Sequence, residues 1–226
     1  MLQHWDIDDE FRISKVRQQE PQTLIDLGCG NGRLTFPMAE FVPNIVAIDP
    51  DTEAINEAIS LDKDSRIKWI VGNSKDIKET NIDVITMLTN VSQEIVDENE
   101  WKETLIDCYN ALKDNGRLIF DGRNFYQQGW LNWTKDNTYQ KVTHNNEDAG
   151  FWHQVYDVDH NIVKFNTHIK TSSNEEIYDS TLIFRTKGET AQLLMDIGFN
   201  KIEVYGNWTD IEATDEHKAF LFIAYK

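Results

Sequence analysis

A glycine-rich segment holds the residues whose types and spacing best indicate chemistry. It reads Asp-Leu-Gly-Cys-Gly-Asn-Gly-Arg over residues 26–33 and follows a short apolar run, Thr-Leu-Ile, at residues 23–25. Glycine has no Cβ, so these positions permit a tight turn and let a ligand lie against the backbone. Open parallel sheets bind ligands at strand ends of this kind. The segment therefore predicts a ligand-binding turn, and an ordinary strand-to-helix turn is the structural alternative.

The spacing of the glycines distinguishes between two kinds of nucleotide site. A nicotinamide dinucleotide fingerprint has a third glycine three residues after its second, and that position here is Arg33. Asp26 stands two residues before the first glycine. A carboxylate there disfavours a pyrophosphate and suits a ligand that carries a positive amino group. An NAD-dependent oxidoreductase is accordingly the weaker alternative.

The elements that position this turn alternate between strands and helices. Apolar, β-branched runs predict strands at 23–27, 44–48, 67–71, 82–88 and 117–121, and helical spacing lies between them, including 98–113. Such alternation is typical of a Rossmann-like, doubly wound α/β fold. A helix over 189–197 and strands over 201–205 and 219–225 would complete a seven-stranded mixed sheet.

The pattern changes between residues 138 and 184, where polar and apolar residues alternate as in antiparallel strands. Turn signals at 145–146, 159–161 and 172–174 divide this stretch into a four-stranded meander. We therefore expect residues 1–125 and 187–226 to form one α/β domain. Residues 126–186 would be an inserted antiparallel β subdomain, a lid over the substrate.

Composition excludes several classes of function. Lys plus Arg number 22 and Asp plus Glu 39, a formal charge of −17, which is unfavourable for binding nucleic acid. No apolar run is long enough to cross a membrane, and the acidic start is unlike a signal peptide, so a cytoplasmic protein is expected, as a monomer or a homodimer. The two cysteines, Cys29 and Cys108, indicate neither a disulfide framework nor a cysteine metal site. The histidines between 144 and 168 have no recognised ligand spacing, so no metal is expected.

The sequence resembles the class I S-adenosylmethionine-dependent methyltransferases (EC 2.1.1.-) of small-molecule type, because several of its segments match motifs of that family and follow one another in the same order. Their first motif, acid-x-Gly-x-Gly-x-Gly, matches residues 26–32, and Asp49 stands where the family's second-strand acid binds the ribose hydroxyls. Asn73 replaces the usual acid that precedes the adenine contact, and residues 82–90 resemble the motif near the methyl group. The resemblance implies S-adenosyl-L-methionine as cofactor, S-adenosyl-L-homocysteine as product, and a cofactor site formed by Asp26, Gly28, Cys29, Gly30, Asn31, Gly32, Asp49, Pro50, Asn73, Ser74, Leu88, Thr89 and Asn90.

The expected reaction is methyl transfer to an N or O atom of a small-molecule acceptor by in-line displacement, which needs alignment and a dry site rather than an obligatory base. Arg123 and Asn124 follow the fifth strand and are candidate catalytic residues, as is His153 as a base. Arg123 could clamp a carboxylate or phosphate of the acceptor, or could pair with Asp121 structurally. A non-catalytic protein that binds S-adenosylmethionine or S-adenosylhomocysteine is the other alternative.

Overall fold

Two β-sheets organise the molecule, for which a computed structural model describes residues 6–144 and 147–226. The strands are β1 Thr23–Leu27, β2 Asn44–Asp49, β3 Ile67–Val71, β4 Ile82–Met87, β5 Leu112–Arg123, β6 Gln140–His144, β7 Glu147–Asp159, β8 Ile162–Lys170, β9 Glu175–Ile183, β10 Lys201–Gly206 and β11 Ala219–Tyr225. The larger sheet has the order β10-β11-β5-β4-β1-β2-β3. Its first five strands in sequence pair in parallel, and β11 is antiparallel to both β5 and β10. The predicted seven-stranded mixed sheet is confirmed.

Helices cover both faces of the larger sheet. They are α1 Ile7–Arg17, α2 Thr35–Ala39, α3 Thr52–Leu61, α4 Val91–Glu94, α5 Glu98–Ala111 and α7 Lys187–Ile197. The short helix α6 Lys135–Thr138 instead packs against β7. One buried layer includes Trp101 and Leu105 of α5, and the other includes Ile13 and Val16 of α1. Side chains fix the helix starts, as where Asp51 accepts hydrogen bonds from the first turn of α3.

The second sheet is the predicted antiparallel meander, in the order β6-β7-β8-β9. It lies between β5 and α7 in the chain and carries its own apolar cluster, which includes Trp130, Val163 and Phe184. The Gln93 amide donates a hydrogen bond of 3.0 Å to the carbonyl of Ile183. This bond ties the last strand of the second sheet to α4, the short helix that follows β4.

One predicted boundary differs from the structure. The helix predicted over 98–113 ends at Ala111, and β5 begins at Leu112 rather than after the Asn115-Gly116 turn. The pairing with β4 shifts between Ile82 and Val84, so residues 113–116 form an irregularity within the strand. Asn115 has a left-handed φ of 61°, and its backbone N–H donates to the carbonyl of Lys226, so the predicted turn is present as a bulge within β5.

Of the three turns predicted within the second sheet, the structure describes two. The turn at 159–161 is present, with His160 at φ 53°, and so is the loop at 172–174. The predicted Asn145-Asn146 turn lies outside the described residues. The sequence did not predict α1, which an Asp6–Asp9 capping box begins. Within the described residues, each helix is too short or too polar to span a bilayer.

Candidate active site

A cavity of about 820 Å³ opens at the carboxyl ends of β1 to β4. Its volume falls in the range of sites for small molecules and cofactors. Its lining includes most of the residues that the sequence assigns to the cofactor, namely Asp26, Gly28, Cys29, Gly30, Asn31, Asp49, Pro50, Asn73, Ser74, Leu88 and Thr89. The predicted residues Gly32 and Asn90 lie outside this lining.

The three glycines of the first turn have different roles. All have positive φ, but a Cβ placed on Gly28 would lie 2.5 Å from the Val91 side chain, whereas one on Gly30 would meet no atom within 4 Å. Gly30 therefore exposes its backbone to the cavity. A Cβ on Gly32 would lie 2.6 Å from Trp69. Gly32 thus serves the packing of the turn on β3, which explains why it does not line the cavity.

Two carboxylates of this cavity already have partners in the protein. Asp26 is buried and accepts hydrogen bonds from the hydroxyls of Thr35 (2.6 Å) and Thr86 (2.8 Å). Burial raises the pKa of Asp26, against the effect of these hydroxyls. Asp49 accepts from the backbone N–H of Gly30 (2.7 Å) and of Asp51 (2.9 Å). The Asp49 carboxylate thereby lies directly beside the glycine turn, at the end of β2.

At the end of β3, Asn73 and Ser74 form a short capped turn. The Asn73 side-chain oxygen accepts from the backbone N–H of Lys75 at 3.0 Å. The Ser74 hydroxyl donates to Asp107 at 2.7 Å, which anchors the turn to α5. The amide of Asn73 therefore has a fixed orientation at the edge of the cavity.

A second cavity, of about 670 Å³, lies between the ends of β4 and β5 and the second sheet. Its lining consists of Thr89, Asn90, Glu94, Arg123, Trp133, Phe151, His153, Phe165, Ser180, Thr181 and Leu182. Thr89 and Glu94 line both cavities. The two cavities therefore meet at the end of β4, where Asn90 belongs to the second cavity and not to the first.

The backbone at this junction is unusual. Thr89 and Asn90 have φ values of 64° and 69°, in the left-handed region that non-glycine residues rarely adopt. Their N–H groups donate to the carboxylate of Asp121, at 3.1 and 2.5 Å. Asp121 is fully buried and accepts from Arg12 of α1 at 2.5 Å. An ion pair between α1 and β5 thus holds the turn that separates the cavities.

Two further ion pairs connect Arg12 to the first cavity. Arg12 also contacts Asp9 at 3.2 Å, and Asp9 contacts Arg33 at 2.5 Å. Arg33 is part of the first cavity's lining. This network and α1 itself were missed from the sequence, although the acidic residues Asp6 and Asp9 before an apolar helical stripe were a usable helix-start signal.

Arg123 and His153 both line the second cavity. The side chain of Arg123 donates to Gln93 at 3.3 Å and lies over the ring of Trp133 at 5.3 Å. Among residues 6–144 and 147–226, Arg123 has no ion-pair partner, and Asp121 is held by Arg12 instead. The ring of His153 bonds to the Thr167 hydroxyl at 3.0 Å, and burial together with the charge of Arg123 lowers its pKa.

Asn124, the third candidate for catalysis, lies elsewhere. Its amide donates to the carbonyls of Asp215 and His217, both at 2.8 Å, and the residue is buried outside both cavities. Both N–H hydrogens are used to fix the end of β5, so the structure gives Asn124 a supporting role.

The histidines of the second sheet are dispersed. His144 contacts Glu176, His160 contacts Asp159, and His168 contacts Glu175. Over the described part of the chain, no three His, Cys, Asp or Glu side chains are arranged to hold a metal ion.

Comparison with known proteins agrees with this geometry. Residues 24–116 match a family model described as a methyltransferase domain. The glycine/sarcosine N-methyltransferase of Aphanothece halophytica is 21% identical over 222 residues, covering 96% of this chain and 81% of the relative. An S-adenosylmethionine-dependent methyltransferase structure from Clostridium acetobutylicum matches with a TM-score of 0.77 and 15% identity, over 99% of this chain and 92% of that one.

A further match is an amino pentose methyltransferase structure from Micromonospora echinaspora with S-adenosylmethionine bound. Its TM-score is 0.75 at 15% identity, over 98% of this chain and 92% of that one. The chain therefore has the fold of these methyltransferase structures, and its residues 24–116 match a methyltransferase domain model. The predicted Rossmann-like fold is confirmed, and the match of residues 24–116 to a methyltransferase domain model agrees with the predicted class.

Proposed function

We propose that the protein transfers a methyl group from S-adenosyl-L-methionine to a nitrogen atom of a small-molecule amine. The observation that carries this proposal is the meeting of two cavities at Thr89 and Glu94. Transfer by in-line displacement requires a donor and an acceptor in adjoining, shielded sites. The amine is favoured over a hydroxyl because relatives of the chain include glycine/sarcosine N-methyltransferases and the protein carries a charge of −17.

The residues of the first cavity fit the cofactor. The open space over Gly30 leaves room for a ligand against the backbone, and the Asp49 carboxylate offers acceptor oxygens for the two ribose hydroxyls. Bound there, the cofactor would supply an electrophilic methyl group on a positively charged sulfur. The turn at Thr89, held by Asp121, would place the reacting end at the junction with the second cavity.

The second sheet supplies the wall of the acceptor site in this proposal. Residues 126–186 would act as the lid, and residues 1–125 and 187–226 as the cofactor-binding domain. Trp133, Phe151 and Phe165 of the lid give the second cavity an apolar surface. Arg123 at its base, which has no ion-pair partner among the described residues, would bind an anionic group of the acceptor.

A calorimetric titration tests the cofactor, with S-adenosylmethionine, S-adenosylhomocysteine and, as control, NADH. We expect the first two to bind in the micromolar range and NADH not to bind. Transfer of labelled methyl groups to glycine, sarcosine and n-butylamine then tests the reaction. Tight cofactor binding without transfer to any amine would contradict amine methylation and favour a non-catalytic binding protein.

Replacing Asp49 with alanine is expected to weaken cofactor binding by about 1.5 to 3 kcal/mol, equivalent to roughly 10- to 150-fold in affinity. The loss arises because the carboxylate would bind the ribose and also accepts the Gly30 N–H. Calorimetry with S-adenosylhomocysteine measures the change. Asp49→Asn, which keeps one acceptor oxygen, should lose less, and an unchanged affinity in Asp49→Ala would refute the ribose contact.

A further inference from the structure

Glu94 is placed where both substrates of a methyl transfer would meet. It is the last residue of α4, the short helix that begins directly after the Thr89-Asn90 turn. With Thr89, it is shared by the linings of the two cavities. Of these two residues, only Glu94 is ionisable, so its carboxylate is the titratable group at the junction.

The carboxylate of Glu94 is not engaged by the protein. Within the described residues it makes no hydrogen bond and no ion pair, in contrast to Asp26, Asp49 and Asp121. Arg123, the cation of the same cavity, interacts with Glu94 electrostatically without coming within ion-pair distance. Glu94 is an exposed residue, so solvent and a ligand can both reach its carboxylate. Glu94 is therefore available to a ligand.

The surroundings of Glu94 favour uptake of a proton. The surrounding protein raises the pKa of its carboxyl through desolvation, and the charge of Asp49 on β2 raises it further. Arg123 on β5 acts in the opposite direction. In the second cavity the remaining titratable side chain is His153, whose charged form burial disfavours. The remaining titratable side chains of the first cavity's lining are Asp26, Cys29, Arg33, Asp51, Glu53, Glu57 and Glu100.

An amine acceptor needs a partner of this kind. At neutral pH an aliphatic amine is an ammonium ion, which has no lone pair with which to attack a methyl group. The ammonium must therefore be bound and must lose one proton before transfer. A carboxylate at the junction serves both purposes, because it attracts the cation and accepts its proton close to the place of reaction.

We propose that Glu94 is a catalytic residue that binds the ammonium group of the acceptor and takes up its proton. This inference rests on the amine methylation proposed above. The proton passes from the ammonium nitrogen to the Glu94 carboxylate, which becomes neutral. The nitrogen lone pair then forms the N–C bond while the C–S bond breaks and its electron pair stays on sulfur. The proton afterwards leaves Glu94 through the open cleft to solvent, so the overall reaction releases one proton.

Glu94→Gln tests the proposal, since it removes the charge and keeps the shape. Glu94→Asp retains a carboxylate, and Glu216→Gln makes the same chemical change at an exposed residue that lines neither cavity. The first measurement is calorimetric binding of sarcosine and of n-butylamine to the S-adenosylhomocysteine complex at pH 8. We expect about tenfold weaker amine binding in Glu94→Gln, with unchanged affinity for S-adenosylhomocysteine.

The second measurement is methyl transfer to the same amines between pH 6 and 10. Glu94→Gln should lose about a hundredfold in kcat/KM near neutral pH, the size of effect typical of a lost general base. Its rate should also keep rising toward the pKa of the free amine, because only neutral amine from solution can react. The wild-type rate should level off at lower pH, and Glu94→Asp should recover part of the loss.

The outcomes separate the two proposals. If the wild type transfers methyl groups and Glu94→Gln matches Glu216→Gln in amine binding, kcat/KM and pH profile, the role of Glu94 is refuted and the proposed function stands. If the wild type binds S-adenosylhomocysteine but transfers no methyl group to any amine, the proposed function is refuted, and the role of Glu94 with it.

Discussion

Gly30→Val is expected to abolish binding of S-adenosylmethionine, with a loss beyond a hundredfold, while the fold remains intact. A valine side chain would occupy the open space over Gly30, where no atom lies within 4 Å of a Cβ. The same space is where a ligand would approach the backbone. The φ of +53° adds strain, since a β-branched residue in this region costs roughly 1 to 2 kcal/mol. Calorimetry with S-adenosylhomocysteine measures the affinity.

Two variants separate crowding from strain and from general damage. Gly30→Asn introduces a side chain that tolerates a positive φ, so it should still block binding if crowding is the cause. Gly188→Val makes the same glycine-to-valine change as Gly30→Val at an exposed glycine of α7, where a Cβ would also meet no atom within 4 Å. It should leave binding unchanged. Wild-type affinity in Gly30→Val would exclude a ligand from this turn.

The strands and the glycine turn were predictable because their signals are local. Alternating or continuous apolar runs predict each strand. A glycine cluster directly after such a run predicts the turn, as at Leu27 and Gly28. The helix predicted over 189–197 does end at Ile197, and the next residue, Gly198, has a φ of 125° that suits glycine. The start of β5 was missed because Leu112 pairs with Ile82 of β4, a contact that the local sequence does not reveal.

The composition of the candidate site was predictable only in part. Asn90 comes three residues after the end of β4 and is predicted to bind the cofactor, but the left-handed backbone at Thr89 and Asn90 directs it to the second cavity. That conformation depends on Asp121, 31 residues away in sequence from Asn90. Glu94 has no motif around it. Its place at the junction follows from the approach of the second sheet, which a single sequence does not reveal.

Asp121→Asn is expected to destabilise the protein by about 3 to 5 kcal/mol, the typical cost of leaving one member of a buried ion pair unpaired. The change removes the charge that faces Arg12 at 2.5 Å. It also directs an NH₂ group toward the N–H of either Thr89 or Asn90, where an acceptor is required. For a chain of 226 residues, the expected fall in Tm is about 6 to 20 °C.

Urea unfolding measures the effect, and two further variants assign it. Asp157→Asn breaks an exposed pair with Lys164 and should leave the free energy of unfolding unchanged. Arg12→Met removes the ion pair but keeps Asp121 as acceptor for the Thr89-Asn90 turn. It should therefore lower stability while sparing more cofactor affinity than Asp121→Asn does, because only Asp121 touches the junction of the two cavities. Equal unfolding free energies in Asp121→Asn and Asp157→Asn would show that the buried network does not support this turn.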